Sequence, residues 1–340
     1  MKPRGSVIIV TWNRPEYMNT CLTRLREQDP RPDEIIVVDA SPDDRTRKVV
    51  EGFPEAVYLF NEKGRGNTPH SRNVGIMASH GDILIFLDDD AFAHPGWYPN
   101  LMAAYGDDLT VGGVVARVLN NQPNEATEGA DKIGLLQPTG VLTGHFAADP
   151  GRIIEVDHML GACMSFRREA VARVGGFHGD YPGTNACDDS DMCLRVKLSG
   201  YRLLFTPYAV VDHVAAPRAY GKRFDARYQF YHRCNSFMMF LRTYGLGRIF
   251  WSFLLATIQH SVQDFVRRMG GAFAHLTVNI AGTIVGILHG IRLLVTERCN
   301  PQRHDALGQE ITRYLEAEKG QAENGDLRPL APIEATQAAP

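Results

Sequence analysis

From Ser6 to Leu87 the chain alternates short apolar runs with longer segments in which apolar residues recur every three or four positions. The runs are Ser6 to Thr11, Glu34 to Val38, Ala56 to Phe60 and Ile83 to Leu87, rich in Val, Ile and Leu. They are too short for helices and predict strands. Ile83 to Leu87 has no polar position at all, the pattern of a strand buried on both faces in the middle of a parallel sheet. Helix signals lie between the runs. Asn13-Arg14-Pro15-Glu16 predicts a helix start, with Asn13 as N-cap, Pro15 in the first turn and Glu16 closing a capping box. Cys21, Leu22 and Leu25 then give that helix an apolar face. Ser41 with Asp44 opens the next helix, and a third, carrying Arg72 and Asn73, follows the basic loop Lys63-Gly64-Arg65-Gly66. The alternation predicts an α/β fold with a doubly wound, mostly parallel, Rossmann-like sheet.

In such sheets ligands bind outside the C-terminal ends of the strands. Three polar strand ends meet there: Thr11, Asp39 and Asp88-Asp89-Asp90. Asp39 suits hydrogen bonds from a base or ribose. The triple carboxylate repels itself unless neutralised, so it reads either as an acidic turn or as a site for a hard divalent cation, Mn2+ or Mg2+. No Gly-rich phosphate loop follows the first strand, which argues against a dinucleotide fingerprint or P-loop and leaves a diphosphate to metal and basic side chains.

A second acidic cluster, Asp188-Asp189-Ser190-Asp191, opens a helix with Met192, Leu194, Val196 and Leu198 as apolar positions. Spacing places Asp188, Asp191 and Arg195 on one face, with Asp191 and Arg195 paired at i, i+4, and turns Asp189 elsewhere. Acids favour helix N-termini, and that account suffices for Asp191. His213 follows the run Tyr208 to Val211, and on general grounds reads as structural more readily than as a ligand. Tyr181 to Asn185 is a turn-rich loop, expected as an acceptor-side lid.

Composition narrows the class. The 340 residues are 44% hydrophobic and 22% charged, with a net charge of −3, so there is a sizeable core and no basic field for nucleic acid. The six cysteines show no CxxC pair and predict free thiols in a reducing compartment. The start of the chain is too short before its first strand for a signal peptide, which predicts a cytoplasmic catalytic part.

Four segments together carry a resemblance: Val7-Ile8-Ile9-Val10-Thr11-Trp12-Asn13-Arg14, Ile35-Ile36-Val37-Val38-Asp39, Ser71-Arg72-Asn73-Val74-Gly75 and Phe86-Leu87-Asp88-Asp89-Asp90. With Gly161 to Arg168, Val174 to Phe177, Asp188 to Arg195, Gly200 to Arg202 and Val210 to His213, in this order, the chain resembles glycosyltransferase family 2 over about its first two thirds. The resemblance implies a GT-A fold and an inverting enzyme that uses a nucleotide-sugar donor. It places Asp88 toward the ribose, Asp90 on the divalent cation, and Asp89 at the variable middle of the donor motif. It implies that Thr11 and Asp39 contact the nucleoside, that Arg72 lies near the donor, and that His213 contacts metal or phosphate. Asp189 matches the general base of the family's E-D-x-D motif, although Asp188 stands where Glu is usual. The processive members' Q-x-x-R-W motif is absent, which points to transfer of one sugar at a time.

Residues 1–218 are thus expected to form the catalytic domain. Residues 219–300 form a helical extension in which Lys222, Arg223, Arg227, Arg233 and Arg242 alternate with aromatics. Leu246 to Ile258 and Leu276 to Val295 are strongly apolar, and the second is about long enough to span a bilayer but contains Asn279, His289, Arg292 and three glycines. Peripheral contact with the inner face of the membrane is the expectation. Residues 301–340 read as a polar, partly disordered tail. The expected partners are a nucleotide-diphosphate sugar and a glycan or lipid-linked acceptor. A sugar-nucleotide nucleotidyltransferase and a non-catalytic nucleotide-sugar-binding scaffold are the alternatives.

Overall fold

The structure is a computed structural model and describes residues 2–120, 125, 127–216, 225–267, 272–297, 311–314 and 317. In chain order its first part contains β1 (Gly5–Thr11), α1 (Pro15–Arg26), β2 (Glu34–Asp39), α2 (Arg45–Glu51), β3 (Ala56–Phe60), α3 (Thr68–Ala78), β4 (Ile83–Asp88), β5 (Ala91–Ala93) and α4 (Trp97–Ala103). There follow β6 (Val111–Leu119), β7 (Ile154–Val156), β8 (Cys163–Arg167), α5 (Arg168–Val174), α6 (Asp188–Leu198) and β9 (Arg202–His213). Three long helices come last: α7 (Ala226–Tyr244), α8 (Arg248–Arg267) and α9 (Ala272–Glu297). The expected 218/219 boundary and the residues Lys222, Arg223 and Phe224 lie outside the described residues.

One sheet runs β3-β2-β1-β4-β8-β6-β9-β5, with β7 on the flank of β9. The first four strands are parallel, and β4 is buried because β1 and β8 pair with its two edges while its side chains fill both faces. The all-apolar run of β4 follows from that position. The winding reverses between β1 and β4, and such a reversal opens a crevice at the C-terminal strand ends. β8 runs antiparallel to both β4 and β6, so the sheet is mixed. Short β5 then folds back on β9 in the register Ala91↔His213. That register carries His213 to the acidic strand end.

Two local expectations change. Asn13 does not cap α1: it adopts a left-handed conformation, φ 57°, one residue before the true cap position, Arg14. Its backbone N–H donates to Ser41 Oγ at 2.7 Å, and its side chain takes Arg45. Ser41 therefore ties two strand-end loops together and does not open α2, whose cap position is Asp44. In the expected polar tail, Ile311 is fully buried in the main core, against Gly176.

The last three helices have a smaller apolar core of their own around Phe237, Phe240, Phe250 and Phe253, which reaches Tyr181 and Leu194. The three glycines of α9 serve packing. A Cβ at Gly282, Gly286 or Gly290 would stand 2.4 to 2.8 Å from Phe230 O, Cys234 O or Leu241 Cδ1 of α7. At four-residue spacing they form a flat stripe that lets the two backbones approach.

Candidate active site

The Asp88–Asp90 turn sits between β4 and β5, at the reversal of the sheet. Its middle residue is tied down: Thr11 Oγ1 donates to one Asp89 oxygen at 2.7 Å and Arg14 Nη1 to the other at 2.8 Å. Burial pushes the Asp89 carboxyl up to about 7 against the pull of Arg14. The outer two converge instead. Ligand atoms of Asp88, Asp90 and His213 all lie within 4.8 Å of one another. Asp90 Oδ1 is 3.3 Å from His213 Nε2, and Asp90 Oδ2 accepts the Ala216 N–H at 2.8 Å. Although burial works against its charge, His213 and Arg14 hold the Asp90 carboxyl below its usual value. His213 Nδ1 donates to Asn120 Oδ1 at 2.9 Å, which leaves Nε2 as the nitrogen facing Asp90: it donates to that carboxylate when the ring is charged and offers its lone pair once a cation displaces that proton. Two carboxylates and a neutral imidazole nitrogen so oriented fit a divalent cation that prefers oxygen and tolerates nitrogen.

The second acidic cluster opens α6 and faces the same crevice. Here the outer acids are tied down. Asp188 Oδ2 accepts from Arg72 Nη1 at 2.8 Å, and burial pushes this carboxyl up to about 7 against that partner. Asp191, fully buried, pairs with Arg195 Nε at 2.8 Å and accepts from Tyr181 Oη at 3.0 Å. Arg195 is also buried and donates to the Val174 and Gly176 carbonyls. The expected common face of Asp188, Asp191 and Arg195 therefore splits: Asp188 turns to the cleft, and the other two lock α6 to the core. Asp189 is left with backbone partners, Gly161 N at 2.9 Å and Ser190 N at 2.7 Å, and a weak contact from the Ser190 hydroxyl. A Cβ at Gly161 would crowd the two side chains, standing 3.1 Å from Asp189 Oδ2 and 3.2 Å from Arg72 Nη2.

Arg72 joins the two clusters. From α3 its guanidinium reaches Asp188, the Gly161 carbonyl at 3.1 Å and Asp88 Oδ1 at 3.4 Å, and it lies over the Phe177 ring. The acids that sequence separates by a hundred residues are thus one guanidinium apart in space.

All of this opens on a cleft of about 1180 Å3. Its walls include Thr11, Arg72, Asp88, Asp89, Asp90, Asp188, Asp189 and His213 from the residues singled out above. Asp39, Asp191 and Arg195 are not part of them. Asp39 is fully buried at the end of β2, where it accepts from Ser41 N and Tyr58 Oη. Thr184 and Asn185 of the expected lid do line the cleft.

Sequence reasoning missed Arg14, Asn120, Gly161 and His158. Arg14 and Gly161 stood inside quoted segments without a role, and only the fold shows that they touch the acids. His158 lines the cleft, donates from Nε2 to the Thr143 carbonyl at 2.7 Å and accepts from Ser190 Oγ at 3.4 Å. Asn120 and His158 carry no motif signal.

Comparison with known proteins gives the chain's family and its fold. The family model described as Glycosyl transferase family 2 matches residues 6–175. A glucosyl-dolichyl phosphate glucuronosyltransferase of Haloferax volcanii is 25% identical over 228 residues, 61% of this chain and 68% of that protein. A GalNAc(5)-diNAcBac-PP-undecaprenol beta-1,3-glucosyltransferase of Campylobacter jejuni is 30% identical over 26% of this chain, and the match spans only 30% of that protein's length. Among solved structures, a mannosyltransferase from Pyrobaculum calidifontis, in complex with GDP-Man and Mn2+, superimposes with a TM-score of 0.54 at 20% identity. The match covers 94% of this chain and 87% of that one.

Proposed function

The chain belongs to glycosyl transferase family 2, and from that premise we propose an inverting, metal-dependent hexosyltransferase. It moves one sugar from a nucleotide-diphosphate sugar to a hydroxyl of a glycan or lipid-linked acceptor. The observation that carries this reading is the pair of acidic clusters in one cleft, opposite in which acids are tied down. Asp88, Asp90 and His213 converge on one point, and Asp189 presents a carboxylate held by the backbone N–H groups of Gly161 and Ser190.

Asp189 takes the proton of the acceptor hydroxyl as that oxygen attacks the anomeric carbon. Its two backbone donors fix the carboxylate plane and leave lone pairs for the incoming O–H. One carboxylate working on one face of the sugar gives a single displacement, hence inversion. Asp88, Asp90 and the Nε2 of His213 would hold a divalent cation, which would supply Lewis acidity to the diphosphate leaving group. Arg14 and Thr11 keep Asp89 from repelling that corner, and Arg72 keeps Asp188 and Asp88 apart from Asp189. The mannosyltransferase that binds GDP-Man and Mn2+ supports the donor class, and the dolichyl phosphate and undecaprenol relatives support a lipid-linked acceptor. A cytoplasmic enzyme peripheral to the membrane fits that acceptor.

The test is thermal stabilisation by UDP, GDP, dTDP and CMP sugars with and without Mn2+. A Mn2+-dependent rise in Tm with one nucleotide class, lost in Asp90→Ala, is expected by linkage. No rise with any of them in folded protein would reject the enzyme in favour of a scaffold.

A further inference from the structure

Part of the cleft wall is made by α7 and α8, and it holds a cation that the reaction above leaves unused. Arg233 lines the cleft and lies largely buried, with Nη1 on the Thr257 hydroxyl of α8 at 3.1 Å and Nε without a hydrogen-bond partner. Among the described residues no carboxylate pairs with it. Burial lowers its pKa, and the Cys187 thiol, not a carboxylate, is what opposes that shift. A buried charge without a counter-charge is costly, so it marks a place where one arrives with a ligand. Arg233 belongs to the base's side of the cleft. The neighbouring His232 feels the charge of Asp189, and Cys187, at the start of α6, is the group that acts on Arg233 itself. Arg227, stacked over Tyr231, and His260 of α8 lie on the same wall.

α8 has two faces. Phe253, Ala256, Thr257 and His260, at i, i+3, i+4 and i+7, line the cleft. Trp251, Leu255, Ile258 and Val262, at i, i+4, i+7 and i+11, are between 52% and 66% exposed. α9, which packs on α8, repeats the pattern. Ile280, Ile284 and Leu288 are about half exposed and stand two residues from the glycine stripe, hence about 200° round the helix from α7. A wall with an unpaired cation inside and an apolar stripe outside matches an anionic head on a hydrocarbon tail.

We propose that Arg233 is the acceptor's anion subsite: it binds the phosphate or diphosphate of a lipid-linked acceptor, while the outer stripes of α8 and α9 rest in the bilayer that holds the tail. This deepens the function above and rests on its assignment of Asp189 to the acceptor side. The helix that borders the cleft also borders the lipid, so the head group reaches Asp189 without the tail leaving the membrane.

The experiment uses the full chain in EDTA, which keeps the donor corner out of the reading, and titrates farnesyl diphosphate and inorganic diphosphate. Farnesyl diphosphate should bind, inorganic diphosphate about tenfold more weakly. Arg233→Gln should weaken farnesyl diphosphate by roughly tenfold or more, with Arg233→Lys recovering much of it and Asp90→Ala leaving it unchanged. The wild type should sediment with phosphatidylglycerol–phosphatidylethanolamine vesicles, and a Leu255→Glu, Ile258→Glu double variant should not. Unchanged farnesyl diphosphate binding in Arg233→Gln, with its nucleotide response in Mn2+ intact as proof of folding, would overturn the subsite. Equal affinity for the two anions would assign Arg233 to a free anion and overturn the lipid acceptor, as would failure of the wild type to bind vesicles. A wild type that ignores every nucleotide sugar yet binds farnesyl diphosphate through Arg233 would sink the donor reading alone.

Discussion

The two acidic clusters have nearly the same composition, three aspartates within four residues, and opposite wiring. At the sheet edge the middle acid is neutralised by Arg14 and Thr11, and the outer two converge with His213. At the start of α6 the outer acids are neutralised by Arg72 and Arg195, and the middle one faces the cleft on backbone donors. The geometry of each element explains the inversion. In the turn that follows β4, Asp90 comes round to Asp88 and His213 while Asp89 faces Thr11 and Arg14. On a helix, adjacent residues diverge by about 100°, so each acid meets a different neighbour.

The strongest way to break this comparison is to remove the acid that each wiring leaves open. Asp189→Asn keeps the shape and one of the two oxygens that accept from Gly161 N and Ser190 N, and has no basicity. Transfer should fall by about a thousandfold or more while the Mn2+-dependent nucleotide response in Tm stays. An active Asp189→Asn enzyme would end the assignment of the base. Asp191 should behave in the opposite way. Asp191→Leu strands Arg195 in the core and should cost about 3–5 kcal/mol of stability, measured by denaturant unfolding. Protein that remains folded should bind nucleotide normally. Loss of binding at unchanged stability would mean that the two acids had been sorted wrongly.

How much of this was legible in the chain depends on range. The parallel strands and the helices between them came from local periodicity, and the structure has them where Val7 to Val10, Ile35 to Val38 and Ile83 to Leu87 placed them. The Asp191–Arg195 pair is also local, one helical turn. Arg14 on Asp89, Arg72 on Asp188 and Gly161 on Asp189 are contacts across the fold, between residues 75, 116 and 28 apart. No window of sequence contains them. Asn13 misled for a related reason: its cap signal was real, but a tertiary partner, Arg45, took the side chain.

A smaller effect sharpens the donor corner. Asn120 holds His213 in the tautomer that turns Nε2 toward Asp90. Asn120→Leu cannot accept from Nδ1, so the ring is free to carry its proton on either nitrogen. Mn2+ affinity, followed by the metal dependence of nucleotide binding, should fall by about 10- to 100-fold with stability nearly unchanged. Loss of all metal response would instead make Asn120 part of the metal's own shell.

The smallest expected effect lies on the base's side, and its sign follows from burial. Burial lowers the pKa of His158 below 6.5, and neighbouring Asp189 and Asp157 offset this only partly. Neutral His158 donates from Nε2 to Thr143 O, and its Nδ1 lies 3.4 Å from Ser190 Oγ. The unfolded chain therefore binds the proton more readily than the folded one. His158 contributes its full stability above about pH 6.5, and that contribution drains away as pH falls toward the lower folded value. His158→Gln has no such titration, and its Tm should vary less between pH 7 and 5 than that of the wild type, whatever the offset between the two. A wild-type curve that rises on acidification, with His158→Gln flat, would mean that Asp189 outweighs burial and that His158 is charged beside the base. The acidic limb of any activity profile would then belong to the pair.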